Sequence, residues 1–172
     1  IGNILLLAKL DNQIIQTKRS KFRLDEQVRQ AVMMHEIKWT EKNINLDVEL
    51  DEVEYLGTED LLLHVWSNLL SNAIKFSPQN GIIAVSIYEK NGKLFVSVKD
   101  QGPGIAKEKQ QKVFERFYKT DRSRSHDKKG VGLGLYIVKT IITQHEGEIF
   151  AESEVGKYTK FTFVLDADNK NS

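Results

Sequence analysis

Asn68-Leu69-Leu70-Ser71-Asn72-Ala73-Ile74-Lys75-Phe76 is the stretch on which the reading of this chain turns. At about 100° per residue, a helix through it gathers Asn68, Asn72 and Lys75 into one narrow arc. Leu62, Leu69, Ala73 and Phe76 then turn toward a core. Thr58 is positioned to cap this helix at its start. Asparagine is a poor helix former, so two of them in mid-helix on one face, without a cap role, call for an explanation. One is a plain solvent face. The other is a polar stripe for Mg²⁺ and phosphate, because a carboxamide oxygen is a hard neutral metal ligand and lysine a point charge for phosphate.

Outward from this helix the pattern alternates between strands and helices. Toward the N-terminus, Asn45 to Leu50 sets Leu46, Val48 and Leu50 against polar partners, a strand pattern. Asp25 has the character of a helix N-cap, with Val28, Ala31, Val32 and His35 on one face, and Lys21 to Leu24 suits a short strand. Gly57 and Thr58 end a short link. Toward the C-terminus, Ser77-Pro78-Gln79-Asn80-Gly81 reads as a turn. The strands Ile82 to Tyr88 and Leu94 to Lys99 flank Asn91-Gly92, a strong hairpin signal. A short helix is expected near 106–117 and a second near 132–145. Strands Gly147 to Ser153 and Tyr158 to Leu165 close the domain. This order predicts an α/β (α+β) two-layer sandwich: a mixed sheet covered on one face by about three helices.

Two glycine-rich loops stand at element junctions. Asp100-Gln101-Gly102-Pro103-Gly104-Ile105 follows a strand directly. Its alternate glycines let backbone approach a flat ligand, and its carboxylate can accept a hydrogen bond from an exocyclic amine. A tight turn with a capping aspartate explains the same residues. Gly130-Val131-Gly132-Leu133-Gly134-Leu135 opens a helix, where free N–H groups and the helix dipole suit phosphate. A dinucleotide-binding reading fails, because this loop follows a basic segment and not a strand. Five of the eleven glycines lie between 102 and 134, so glycine is concentrated around these loops. Between them, Lys119, Arg122, Arg124, Lys128 and Lys129 make a net-positive loop that suits either a lid or a solvated connection.

Bulk properties narrow the classes. With 172 residues the chain fits one domain plus an appendage. Its net charge of +1 supplies no global field toward nucleic acid or an anionic membrane. Without cysteine there is no disulfide, thiol catalysis or cysteine metal cluster. No apolar run reaches the roughly 20 residues needed to span a bilayer. Residues 1–18 carry apolar groups at helical spacing and open mid-pattern at Ile1, so we expect more protein before them and a packing partner for this helix.

Taken in order, these motifs resemble the sequence boxes of sensor histidine kinases. Residues 68–76 are similar to the N box, 100–105 to the first glycine box, Phe114-Glu115-Arg116-Phe117-Tyr118 to the F box, and 130–135 to the second glycine box. The resemblance covers residues 20–166, expected to be the ATP-binding catalytic domain with a Bergerat fold. It makes residues 1–19 the C-terminal end of the dimerisation and phosphoacceptor helix; residues 167–172 are mostly polar and are expected to form a disordered tail. It implies ATP and Mg²⁺ as cofactors, with Asn72 on the metal and Asn68 beside it as the catalytic pair. Lys75 would contact phosphate, Phe76 would pack near adenine, and Asp100 would read the adenine amine. Gly102, Gly104 and Ile105 would shape that pocket. Gly130, Val131, Gly132, Leu133, Gly134 and Leu135 would cradle phosphate. Phe114 and Phe117 would dock the lid, Arg116 or Arg122 would meet the γ-phosphate, and Thr159 would close the set. The implied partners are the protein's own phosphoacceptor domain, in cis or in trans within a homodimer, and a response regulator. No nucleic acid and no direct membrane contact are expected. The resemblance implies a cytoplasmic fragment and is compatible with membrane attachment of the full-length protein.

Two positions depart from the family pattern. Lys129 stands where the second box usually has its first glycine, and Tyr158 replaces a glycine in Gly156-Lys157-Tyr158-Thr159. Altered loop geometry with retained binding is the expectation. His35-Glu36-Ile37-Lys38 looks like a phosphoacceptor box, but Trp39-Thr40 follows where the family has threonine and proline. His64, His126 and His145 lack metal-ligand spacing and are expected in surface or packing roles. Related ATPases of the fold place a glutamate, as base for water, four residues before the metal asparagine. Asn68 stands there instead, which disfavours hydrolysis and favours an external nucleophile. A nucleotide-binding or dimerisation scaffold is the remaining alternative, and it would need none of these residues.

Overall fold

Residues 18–115 and 134–167 are described by a computed structural model. The chain begins with β1 (Ser20–Arg23), α1 (Leu24–Met33), α2 (Glu36–Glu41), β2 (Asn45–Leu50) and β3 (Glu54–Gly57). The long helix α3 (Glu59–Phe76) precedes the hairpin of β4 (Ile82–Lys90) and β5 (Lys93–Asp100). Two 3₁₀ turns follow at Lys107–Lys109 and Lys112–Phe114, then α4 (Gly134–Gln144), β6 (Glu148–Glu154) and β7 (Tyr158–Asp166).

The main sheet has the order β2-β4-β5-β7-β6. Among the described residues only β2 and β4 run parallel. A parallel neighbour requires a crossover, and this one carries β3 and α3, which lays α3 on one face of the sheet. Period-two alternation selects that face. Ile83, Val85 and Ile87 of β4, Leu94, Val96 and Val98 of β5, and Phe161, Phe163 and Leu165 of β7 are buried. The expected two-layer sandwich is borne out, with three main helices on that face.

Helix α3 packs with Leu62, Val65, Trp66, Leu69, Leu70 and Ala73, all nearly without exposure. The Trp66 ring meets Phe163 edge-on at 5.6 Å, and its indole N–H donates to Gln27 Oε1 at 2.8 Å. Gln27 in turn donates to the Glu59 carbonyl at 2.8 Å, so α1 is pinned to the first turn of α3. The Asn91-Gly92 turn has positive φ at both residues, 54° and 76°, the conformation a two-residue hairpin needs.

Several expectations are corrected. Asp25 is not an N-cap: the helix starts at Leu24, and Asp25 is buried within its first turn. Its carboxylate accepts from Arg23 and from the Val53 N–H at 3.1 Å, tying α1 to the segment before β3. These donors hold the Asp25 carboxyl down at about 2. His35 follows α1 and precedes α2, and its Nε2 lies 3.1 Å from Ser67 Oγ. The link before Thr58 contains β3, which pairs antiparallel with β1 in a separate ribbon. Thr58 is the N-cap of α3 by position, but its side chain makes no cap bond. The helix expected near 106–117 is two 3₁₀ turns within its described part. The helix expected over 1–18 and the tail lie outside the described residues, apart from Lys18 and Ala167.

His145 is buried just after α4 and joins two distant elements. Its Nδ1 is 2.8 Å from the Ile141 carbonyl and therefore donates, leaving Nε2 to accept the Thr58 N–H at 3.0 Å. Burial holds the ring neutral by lowering its pKa below the ordinary 6.5. The folded-state pKa is depressed, so the stability from the neutral ring is complete above 6.5 and is lost as pH falls through the folded value. His35 and His64 are shifted the same way by burial. Denaturant unfolding should therefore give a lower free energy at about pH 5 than at about pH 8. His145→Gln should cost about 1–2 kcal/mol at the higher pH and flatten this slope. An unchanged slope in that variant would remove His145 from the account.

Candidate functional site

The polar arc of α3 survives folding as a stripe. His64, Asn68, Ser71, Asn72 and Lys75 are all half-buried, while Val65, Trp66, Leu69, Leu70, Ala73 and Ile74 between them line the core. The Asn68 amide nitrogen is buried without a hydrogen-bond partner among the described residues, and so are His64 Nε2 and Ser77 Oγ. An unpaired buried polar atom costs about 1–3 kcal/mol. Two of them along α3 and a third just past its end mark, among the described residues, a surface shaped for something other than its own core. The Asn68 carboxamide oxygen faces the start of α4, 3.7 Å from where a Cβ on Gly134 would stand. The Lys75 ammonium lies 5.4 Å from the centroid of the Phe76 ring.

The end of α3 meets the first glycine loop. Asp100 is the last residue of β5 and points inward at 2% exposure, opposite fully buried Thr159 on β7. Its Oδ1 accepts the Gly102 N–H at 2.8 Å, which folds the loop back over the strand end. A Cβ on Gly102 would fall 2.7 Å from the Phe76 carbonyl oxygen and 2.8 Å from Asp100 Oδ1. Only glycine lets α3 and the loop approach this closely. Gly104 has φ of +79°, and a Cβ there would collide with the Glu154 carbonyl.

Ser153 joins the loop to the last strands. Its Oγ accepts the Ile105 N–H at 2.7 Å, donates to the Tyr158 carbonyl at 2.6 Å and sits 3.0 Å from Thr159 Oγ1. Gln110 donates to the carbonyls of Ile105 and Ser153. Phe114 is buried and meets Phe161 edge-on at 5.9 Å. The described candidates thus form one continuous rim, from Gly134 through Asn68, Asn72, Lys75 and Phe76 to Gly102, Asp100, Thr159 and Ile105. Leu135 packs against the core beside it. Arg116, Phe117, Arg122, Gly130, Val131, Gly132 and Leu133 lie outside the described residues. Sequence reasoning missed Ser153 and Gln110. A lone serine inside an alternating strand carries no local signal of its partners.

The Tyr158 departure has a structural reason to be tolerated. Thr159 faces inward, so Tyr158 faces the other side of the sheet, where Lys99 lies 4.7 Å from its ring centroid and Glu152 accepts its hydroxyl. The turn still depends on Gly156, at φ +81°, whose N–H donates to the Pro103 carbonyl at 2.7 Å.

A buried carboxylate and a glycine loop at one end of a helix-covered sheet suit a nucleotide-binding domain. The sequence profile described as "Histidine kinase-, DNA gyrase B-, and HSP90-like ATPase" matches residues 57–169. The catalytic domain of the histidine kinase ThkA superposes with a TM-score of 0.77 at 30% identity, covering 87% of this chain and 98% of that one. The sensor-like histidine kinase SenX3 of Mycolicibacterium smegmatis is 34% identical over 166 residues, 96% of this chain and 43% of the relative. The sensor histidine kinase WalK of Bacillus subtilis is 42% identical over 123 residues, 70% of this chain and 19% of the relative. The chain belongs to this ATPase family, and within it to the ATP-binding catalytic domains of sensor histidine kinases. It spans less than half the length of these two relatives.

The two left-handed glycines separate strain from crowding. Gly104→Ala adds both left-handed strain and a collision, whereas Gly156→Ala meets nothing within 4 Å. Thermal melts should show a loss of about 1–2 kcal/mol for Gly156→Ala and a clearly larger one for Gly104→Ala. Equal losses would mean that the Gly104–Glu154 approach is not tight.

Proposed function

We propose that this domain binds ATP with Mg²⁺ along the α3 stripe and directs the γ-phosphoryl group to a histidine on the protein's phosphoacceptor domain. The carrying observation is the single rim that joins Asn68, whose buried amide has no partner among the described residues, to buried Asp100 through Phe76 and Gly102. Asp100 keeps an inward carboxylate where an adenine amine can donate to it. Gly102 and Gly104 keep that wall thin. Lys75 offers a charge for phosphate, and Asn72 offers a carboxamide oxygen suited to Mg²⁺. The metal, when bound, neutralises charge on the transferring phosphoryl group.

Catalysis on this reading rests on positioning and electrostatics. The P–O bond to ADP breaks as a P–N bond to the imidazole forms, and ADP leaves. Asn68 stands where an ATPase of this fold would carry its glutamate base, so water is not activated there. A histidine brought by the phosphoacceptor domain is already a competent nucleophile. A response regulator would then accept the phosphoryl group. The domain should turn ATP over poorly without that histidine.

Calorimetric titration with a non-hydrolysable ATP analogue tests this reading. Binding should be tighter with Mg²⁺ than with a chelator. Asn72→Ala should abolish the difference while leaving the far-ultraviolet circular dichroism unchanged. Asp100→Asn should reduce the preference for ATP over GTP. Unchanged affinity and metal dependence in Asn72→Ala would remove it as metal ligand, and absence of binding by the parent chain would favour a scaffold.

A further inference from the structure

Helix α3 ends in a way that its own backbone cannot satisfy. Its last carbonyls, from Ala73 to Phe76, lack intrahelical donors. Ser77 precedes Pro78 and is extended, with φ −68° and ψ 144°. Its N–H reaches the Ala73 carbonyl at 3.0 Å. The next residue would supply the usual C-terminal capping N–H, but it is proline and has none. The carbonyls beyond Ala73 therefore need a donor from elsewhere in the chain.

Lys42 supplies it, more than thirty residues upstream. Its ammonium donates to the carbonyls of Ile74 at 2.8 Å, Lys75 at 3.0 Å and Ser77 at 2.9 Å. All three of its protons are used, at the negative end of the α3 dipole. Burial pushes the Lys42 pKa down, while the three accepting oxygens favour the charged form. The Lys42 backbone is itself fixed. Its carbonyl accepts the Asn80 N–H at 2.9 Å. Neighbouring Asn43 is left-handed at φ 53° and donates to Asn80 Oδ1 at 2.7 Å.

The capped turn carries Lys75 and Phe76, and the Phe76 carbonyl is the oxygen against which Gly102 packs. We infer that Lys42 is a positioning residue for the nucleotide site, setting the last turn of α3 against the Asp100–Gly104 loop. It acts through the helix end and not by contact with nucleotide. The inference rests on the nucleotide-binding reading above. Without Lys42 the carbonyls of Ile74 and Lys75 lose this donor, and the turn bearing Lys75 and Phe76 loses its tie to Lys42.

The test is titration of the ATP analogue into the parent chain, Lys42→Met and Lys42→Arg, well below their melting temperatures. Lys42→Met should bind about tenfold more weakly. Lys42→Arg keeps a donor cation at the helix end and should recover most of that loss. The ratio between parent and Lys42→Met should persist at about 1 M salt, where the Debye length is about 3 Å, because a through-space attraction would be screened. Val28→Ala, in the α1 core, serves as a destabilised control and should bind like the parent. If Lys42→Met does not fold, Lys42→Gln takes its place and should show the same direction of change. Parent-like affinity in the Lys42 variant, a ratio that vanishes in salt, or an equal loss in Val28→Ala would each overturn the inference. Failure of the parent chain to bind would instead overturn the nucleotide reading.

Discussion

Helix α3 must serve two surfaces at once, and the rest of the domain is arranged around that demand. Its apolar positions bury Leu62, Val65, Trp66, Leu69 and Ala73 in the two-layer core, with Trp66 set against Phe163 of β7. The intervening arc holds Asn68, Asn72 and Lys75. A 3.6-residue period keeps the two sets apart only while the helix remains straight and fixed in rotation. Each end of α3 is accordingly held from a distance. Gln27 bonds the Glu59 carbonyl in its first turn, His145 accepts the N–H of the N-cap residue Thr58, and Lys42 takes the carbonyls of its last turn. A rotation that exposed part of the core would also move the stripe, so packing and site geometry are fixed together.

The same economy governs the polar end of the sheet. Asp100 and Thr159 occupy inward positions that, one step further along their strands, belong to Val98 and Phe161. A buried carboxylate is costly unless donors satisfy it, and the Gly102 N–H supplies one. That bond draws the loop in far enough for Gly102 to touch α3, which is why a side chain is excluded there. Ser153 performs the matching task from β6, accepting from Ile105 and reaching Thr159. The polar end of the sheet is thus built from groups whose polarity would be a defect in a plain core.

How far the sequence is legible follows from the range of the forces involved. The α3 stripe, the Asn91-Gly92 hairpin and the glycine loops rest on spacing within a few residues, and the structure places their described parts as read. A short strand at Lys21 to Leu24 was read and β1 lies there, but β3 and its pairing were missed, because four residues are too few for a period to show and the two strands pair across more than thirty positions. Asp25 was misread because aspartate beside a helix start has the same local signature as a cap. Here its donors come from Arg23 and from Val53, a residue 28 positions away. Lys42 lay beyond local reading for the same reason. Its partners are carbonyls, which every residue carries, so nothing in its neighbourhood announces them.

Tyr158 shows how the two kinds of information combine. By sequence alone it replaces a glycine inside a nucleotide-binding motif, and loss of the pocket is a reasonable fear. Strand alternation resolves it, because Thr159 is inward and its neighbour must be outward. The ring is accommodated by Lys99 and Glu152 on the far face, while Gly156 retains the left-handed turn that brings its N–H to Pro103. The constraint at this turn is therefore conformational at Gly156 and steric at Gly104, where the loop presses on Glu154. Position 158 carries neither constraint, and glycine is dispensable there for a reason that periodicity, once the register is fixed, makes explicit.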